Sequence, residues 1–268
     1  PPPPPPPPPP LLKAPPTTEI YTSDVSSAAS DVYKRQALST VAPVAAASVP
    51  LRHESCVILL HGLWRTEYSM KYLEWGLSEM EFEVVNLTYP SLSHPIEELA
   101  VMAVEEGLAG CRDLGLQRIH FVTHSLGGIL VRQYLRYRGI AGLHRVVMLG
   151  PPSQGSQVAD FVDGIDILEP ITPRAVEQLG TGADSIPLRL GPADFELGII
   201  AGTANRRGML PGVPEQPGDG TVTVAETIVP GMLDFLELPV SHTFMMWDRR
   251  VLHQVAHFLE QGYFDRRD

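Results

Sequence analysis

The chain has 268 residues, with 31 Asp and Glu against 20 Lys and Arg, a net charge of −11, two cysteines and 44% hydrophobic residues. That acidic balance argues against nucleic-acid binding, which needs a basic surface, and against docking on anionic lipid. No apolar run reaches the roughly twenty residues that span a bilayer, and two cysteines are too few for a disulfide framework.

Ten prolines open the chain, and proline-rich sequence cannot build a packed core. TTEIYTSDVSSAASDVYKRQ follows, polar and aperiodic, and is similar to translated adaptor sequence. Residues 1–36 therefore read as a disordered or non-native tail, set apart from the fold. Residues 37–51, small and apolar, read as a linker or as the end of a secretion signal. No basic segment precedes them to decide for export, so cytoplasmic and exported locations both stay open.

From Ser55 onward, short apolar runs alternate with helical patterns. CVILL (56–60) is the first predicted buried strand, with Cys56 expected as a free thiol. FEVVNL (82–87) is the second. Ser93 then caps a predicted helix whose first turn holds Pro95, Glu97 and Glu98, with Ile96, Leu99, Ala103 and Leu108 at helical spacing. Cys111, at its end, is expected as the second free thiol. RIHFV (118–122) leads into THSLGG (123–128), and a helix over 129–137 follows. RVVML (145–149), ELGIIAG (196–202) and FLELPV (235–240) are further strands. Between them, 150–195 leaves room for a small cap with short helices near 157–162 and 173–179, which predicts an open, shallow site. The last helix covers 247–261, with Val251, Leu252, Val255, Phe258 and Leu259 on one face and Gly262 after it. This alternation predicts an α/β fold from Ser55 onward, a mostly parallel sheet with helices on both faces, and residues 265–268 read as a short tail.

Ligands of such sheets bind beyond the carboxyl ends of the strands. There stand His61-Gly62-Leu63-Trp64 after the first strand, Ser125 after the third, Asp219 in QPGDGTVT, and His242 after the sixth. Each type meets a chemical need. A serine hydroxyl becomes nucleophilic when an imidazole takes its proton, and the imidazole needs a carboxylate to fix its tautomer. Plainer readings exist for each. Serine before a helix is commonly a cap, and D-G pairs are common turns. Glu226 and Asp234 are rival carboxylates. His253 and His257, spaced i,i+4, read as a solvated face because no third metal ligand is suggested. Arg132, Arg136 and Arg138 read as an exposed helix face. His124 is expected to point away from the chemistry, and His61 to brace the loop after the first strand.

HGLW, THSLGG and the order Ser–Asp–His together resemble the α/β-hydrolase superfamily over roughly residues 52–264, and within it small bacterial lipase- and esterase-like hydrolases. GPPSQGS and DGTVTVAET are similar to stretches of those lipases. The resemblance implies an ester hydrolase with Ser125 as nucleophile, Asp219 as acid and His242 as base. The oxyanion donors would be the N–H groups of Leu63 and Leu126, with Trp64 as an alternative to Leu63. Thr123, where the G-x-S-x-G pattern has glycine, is a tolerated variant, and Gln154 is structural. Trp64, Phe244, Met245 and Met246 flank the site and are expected to line an acyl pocket. No cofactor or metal is implied; the partner is a small-molecule ester or lipid, and the oligomeric state stays open. Acyl transfer, thioester hydrolysis and a silent binding protein of this fold are the alternatives.

Overall fold

A computed structural model describes residues 52–163, 173–204 and 216–267. The expected tail (1–36) and linker (37–51) lie outside the described residues, as do 164–172 of the cap interval and 205–215 of the loop before Asp219.

Six strands form one sheet: β1 (Ser55–Leu60), β2 (Glu83–Leu87), β3 (Arg118–His124), β4 (Leu143–Leu149), β5 (Glu196–Gly202) and β6 (Asp234–Leu238). The order is β2-β1-β3-β4-β5-β6, and every neighbouring pair is parallel. The central strands are apolar on both faces because helices cover both. Cys56, Ile58 and Leu60 face a core built with α2 (Ile96–Asp113) and α3 (Leu126–Tyr137). Val57 and Leu59 face the opposite core, with α1 (Lys71–Glu79) and α8 (Arg249–Gln261).

The short helices α4 (Gln157–Asp163), α5 (Arg174–Glu177) and α6 (Ile186–Arg189) occupy the cap interval, and α7 (Val224–Thr227) follows Asp219. The patterns above do not predict α1. It buries Leu73 and Leu77, and Gly76 gives way to Leu252 of α8, whose Cδ2 lies 2.3 Å from where a β-carbon would stand.

Two expectations about local structure change. Ser93 caps nothing. The residue before a proline is pushed out of helical backbone, so the helix waits for Pro95 at the N-cap, and Ile96 N–H donates to Gln178 Oε1 at 2.7 Å. Arg132 is buried, not exposed; its guanidinium donates to Gly191 O at 2.7 Å and to Ser153 O at 3.5 Å. Arg136 and Arg138 are exposed. At the carboxyl terminus Asp265 and Arg266 are tied down, by Asp265 N–H to Gln254 Oε1 and by Arg266 to Asp234.

The cysteines are not free thiols: Cys56 and Cys111 form a disulfide, with Cα atoms 5.8 Å apart. Strand and helix periodicity together bring this about. Cys56 and Ile58 point to the same sheet face, two residues apart. Gly107 and Cys111 lie on the same helix stripe, four residues apart. A β-carbon on Gly107 would stand 2.5 Å from Ile58 Cγ2, so α2 lies close against β1 here. With Gly107 over Ile58, Cys111 falls over Cys56. Closing a loop of this length removes on the order of 4 kcal/mol of chain entropy from the unfolded state, in the loop-entropy treatment.

Candidate active site

β3 ends at His124 and α3 begins at Leu126, so Ser125 is the whole of the turn between strand and helix. Its φ of 52° and ψ of −118° lie where a non-glycine residue is strained. Ser125 N–H donates to Leu149 O at 2.9 Å, which ties the turn to β4. Two glycines permit the close packing around it. A β-carbon on Gly127 would stand 2.6 Å from Leu60 O, and one on Gly128 would stand 3.2 Å from Thr123 Oγ1. The space that Thr123 takes in place of glycine is therefore vacated by Gly128 on the helix side.

His242 Nδ1–H donates to Asp219 Oδ2 at 2.6 Å, and both residues are buried. The other oxygen of Asp219 accepts Thr221 N–H at 2.9 Å and Val222 N–H at 2.8 Å. The D-G turn thus holds the carboxylate in place beside His242. His242 N–H donates to Asp219 O at 3.0 Å, a second tie between the two. Glycines also make the seat of this pair. A β-carbon on Gly150, after β4, would stand 2.9 Å from Asp219 Oδ2, and one on Gly202, ending β5, 2.6 Å from Asp219 Cβ. The rival carboxylates are engaged elsewhere. Glu226 forms a capping box with Thr223 and accepts Gln157 N–H, and Asp234 accepts Arg266 and Phe264 N–H.

After β1, Arg65 N–H donates to Gly62 O at 3.3 Å and closes a turn over Leu63 and Trp64. Trp64 has φ 55°, a turn position where glycine is usual. Among the described residues, neither Leu63 N–H nor Leu126 N–H has an acceptor. His61 braces this loop: its Nδ1–H donates to Gly62 O at 2.7 Å, its Nε2 accepts Tyr89 N–H, and its ring stacks on Tyr89 at 4.1 Å.

Ser125, His242, Leu63 and Trp64 all line one cavity of about 400 Å³, walled on the cap side by Val158, Ala159, Val176 and Leu179. The described cap helices therefore contribute one wall of the site. Among the described residues no hydrogen bond joins Ser125 Oγ to His242. The expected pocket residues divide. Trp64 borders the cavity, whereas Phe244 and Met246 line a neighbouring cleft. Met245 lines neither; it is wholly buried, and a β-carbon on Gly150 would meet its sulfur at 3.2 Å. The tight turn after His242 directs Met245 inward, beneath the Asp219–His242 pair.

A family profile, described as the alpha/beta hydrolase family, matches residues 57–263. The chain belongs to that family. Solved structures share the hydrolase's fold at low identity. The mature lipase BlEst2 of Bacillus licheniformis has a TM-score of 0.54 at 17% identity, over 74% of this chain and 87% of that one. A metagenomic carboxyl esterase has 0.57 at 19%, over 71% and 65%. Lipase B of Aspergillus fumigatus has 0.57 at 16%, over 76% and 52%. A sequence comparison with curated proteins returns no match.

His124 of the hydrolase takes part in the site after all. Its Nε2–H donates to His242 O at 3.0 Å, its ring centroid lies 4.6 Å from that of His242, and it is buried. Strand alternation sends this side chain away from Ser125, and only the fold brings the His242 loop to meet it. Burial holds His124 well below the ordinary histidine value of 6.5, with His242 adding repulsion. Burial does the same to His120, beside His144, and to a smaller degree to His61. Below pH 6.5 the unfolded hydrolase binds protons at these histidines that the folded one refuses, so stability is full above that pH and falls beneath it. Each group contributes up to about 1.4 kcal/mol per pH unit. The urea midpoint is therefore expected to drop between about pH 7.5 and pH 5, and a His120→Phe variant to drop less.

Proposed function

We propose that the protein is a carboxylic ester hydrolase that works through an acyl-enzyme on Ser125. The observation that carries this reading is the Asp219–His242 pair opening onto the same cavity as a serine at a strained strand–helix turn. The likeness in fold to lipases and a carboxyl esterase supports it.

Asp219 accepts a hydrogen bond from His242 Nδ1–H, which keeps that proton on Nδ1 and leaves Nε2 as the base. As Ser125 Oγ attacks the ester carbonyl, its proton passes to Nε2. The oxygen that becomes negative is met by Leu63 and Leu126 N–H, and each such donor contributes about 3–4 kcal/mol at the transition state. The C–O bond to the alcohol breaks, and Nε2–H returns the proton to the departing oxygen. Water then repeats the sequence on the acyl-enzyme, releasing the acid and restoring Ser125. A small-molecule ester or lipid is the substrate.

A fluorophosphonate probe is expected to label Ser125, as mapped by peptide mass spectrometry, and His242→Ala to abolish the labelling. A folded sample that takes no label would overturn this reading in favour of a binding protein with this fold.

A further inference from the structure

Beside the cavity that holds Ser125 lies a second cleft of about 600 Å³, lined by Trp64, Tyr68, Phe244 and Trp247. Trp64, Arg65 and Thr243 border both spaces. The two therefore meet along the turn after β1 and at the residue that follows His242. Their walls differ in kind. The cap-side wall of the cavity is aliphatic, and Trp64 is the sole indole or benzene ring among the residues lining it. The cleft is faced by four aromatic side chains.

All four are more than half exposed, at 57% for Trp64, 70% for Tyr68, 68% for Phe244 and 54% for Trp247. Isolated exposed aromatics need no explanation, but a contiguous set around a concave surface marks a place that a ligand covers. The cleft is also braced. Trp247 stacks on Tyr72, with ring planes 16° apart. Trp64 projects from a left-handed backbone, and of the three non-glycine residues with positive φ among the described residues, two are Trp64 and Ser125. Strain of this kind persists where the surrounding structure enforces it, and it gathers at functional sites.

We propose that this cleft binds the alcohol half of the ester and selects planar, arene-bearing alcohols. The proposal rests on the ester-hydrolase reading above. The departing oxygen takes its proton from His242, and the chain runs from His242 through Thr243 and Phe244 straight into the cleft. An aliphatic acyl chain is matched by the aliphatic cavity. A flat ring is matched by aromatic walls, against which it packs offset or edge-on.

The test uses the full chain and compares 2-naphthylmethyl acetate with butyl acetate. The acyl group is the same and both leaving groups are primary alkoxides, so the ratio of kcat/KM values reads alcohol recognition. The naphthylmethyl ester is expected to be preferred roughly tenfold. Phe244→Ala and Trp247→Ala are each expected to cut that ratio by about half or more. An unchanged ratio in both variants overturns the proposal. If the same variants also lose binding to phosphatidylcholine vesicles, the aromatic surface belongs instead to a lipid–water interface.

A second measurement is independent of turnover. 2-Naphthylmethanol is titrated into the protein while the indole N–H resonances of its three tryptophans are followed. Trp64 and Trp247 are expected to shift, and Trp75, outside the cleft, to stay. Movement of those two without turnover of any ester would sink the hydrolase reading and leave the cleft as a binding site for arene-bearing alcohols alone. Turnover without movement would do the reverse.

Discussion

Ser125→Ala is expected to lower kcat for ester hydrolysis by about a million-fold, the scale seen when a serine nucleophile is removed from a triad that acts as a unit. The substitution is small, and Ser125 is fixed through its backbone, by the N–H bond to Leu149 O and the packing of Gly127 and Gly128. Alanine accordingly leaves the turn in place, and thermal unfolding should move little. Purified protein assayed on a short-chain ester, with an unfolding curve beside it, separates the two quantities. A loss of only tenfold would mean that another group attacks the ester, and the proposed acyl-enzyme would have to be abandoned.

The second large effect concerns the acid. Asp219→Asn is expected to reduce kcat by roughly ten-thousand-fold while the chain remains folded. The direction in which the amide must face decides the outcome. Thr221 N–H and Val222 N–H both point at Oδ1 of residue 219, so a carbonyl oxygen is held there. The NH₂ group is then forced toward His242 Nδ1, which must accept. The histidine proton moves to Nε2, the side that has to take the proton of Ser125, and the base is lost without a change of shape. Activity retained within tenfold would show that residue 219 does not set the tautomer of His242, and the acid would have to be sought elsewhere.

Strand positions were legible because a sheet buried on both faces writes itself as continuous apolar runs. CVILL, RIHFV, RVVML and ELGIIAG all fall within strands. That Leu63 and Ser125 would come to one side of the sheet was legible because parallel strands all end on the same edge. Contacts between distant segments were not. The Cys56–Cys111 bond depends on how far α2 slides along β1, and Gly107 over Ile58 sets that register. His124 shows the same limit: alternation tells that it turns from Ser125 but not that the His242 loop waits on the other side. Met245 and Phe244 are neighbours in sequence, yet one is buried and the other exposed. The direction of each depends on a turn that apolar composition does not report. The buried Arg132 was hidden because its acceptors are carbonyls of Ser153 and Gly191, which no side-chain pattern announces.

The disulfide also determines what a protease can do to this molecule. Between Cys56 and Cys111 lie the turn that carries Leu63 and Trp64, the aromatic Tyr68, all of α1 and β2, and the exposed stretch around Ser93. A single cut anywhere in that interval yields two pieces that stay covalently joined. The nicked chain would migrate as one band until the disulfide is reduced. Its Leu63 segment could not diffuse away from Ser125, because the bond at the start of β1 anchors it to the helix from the far side of the cut.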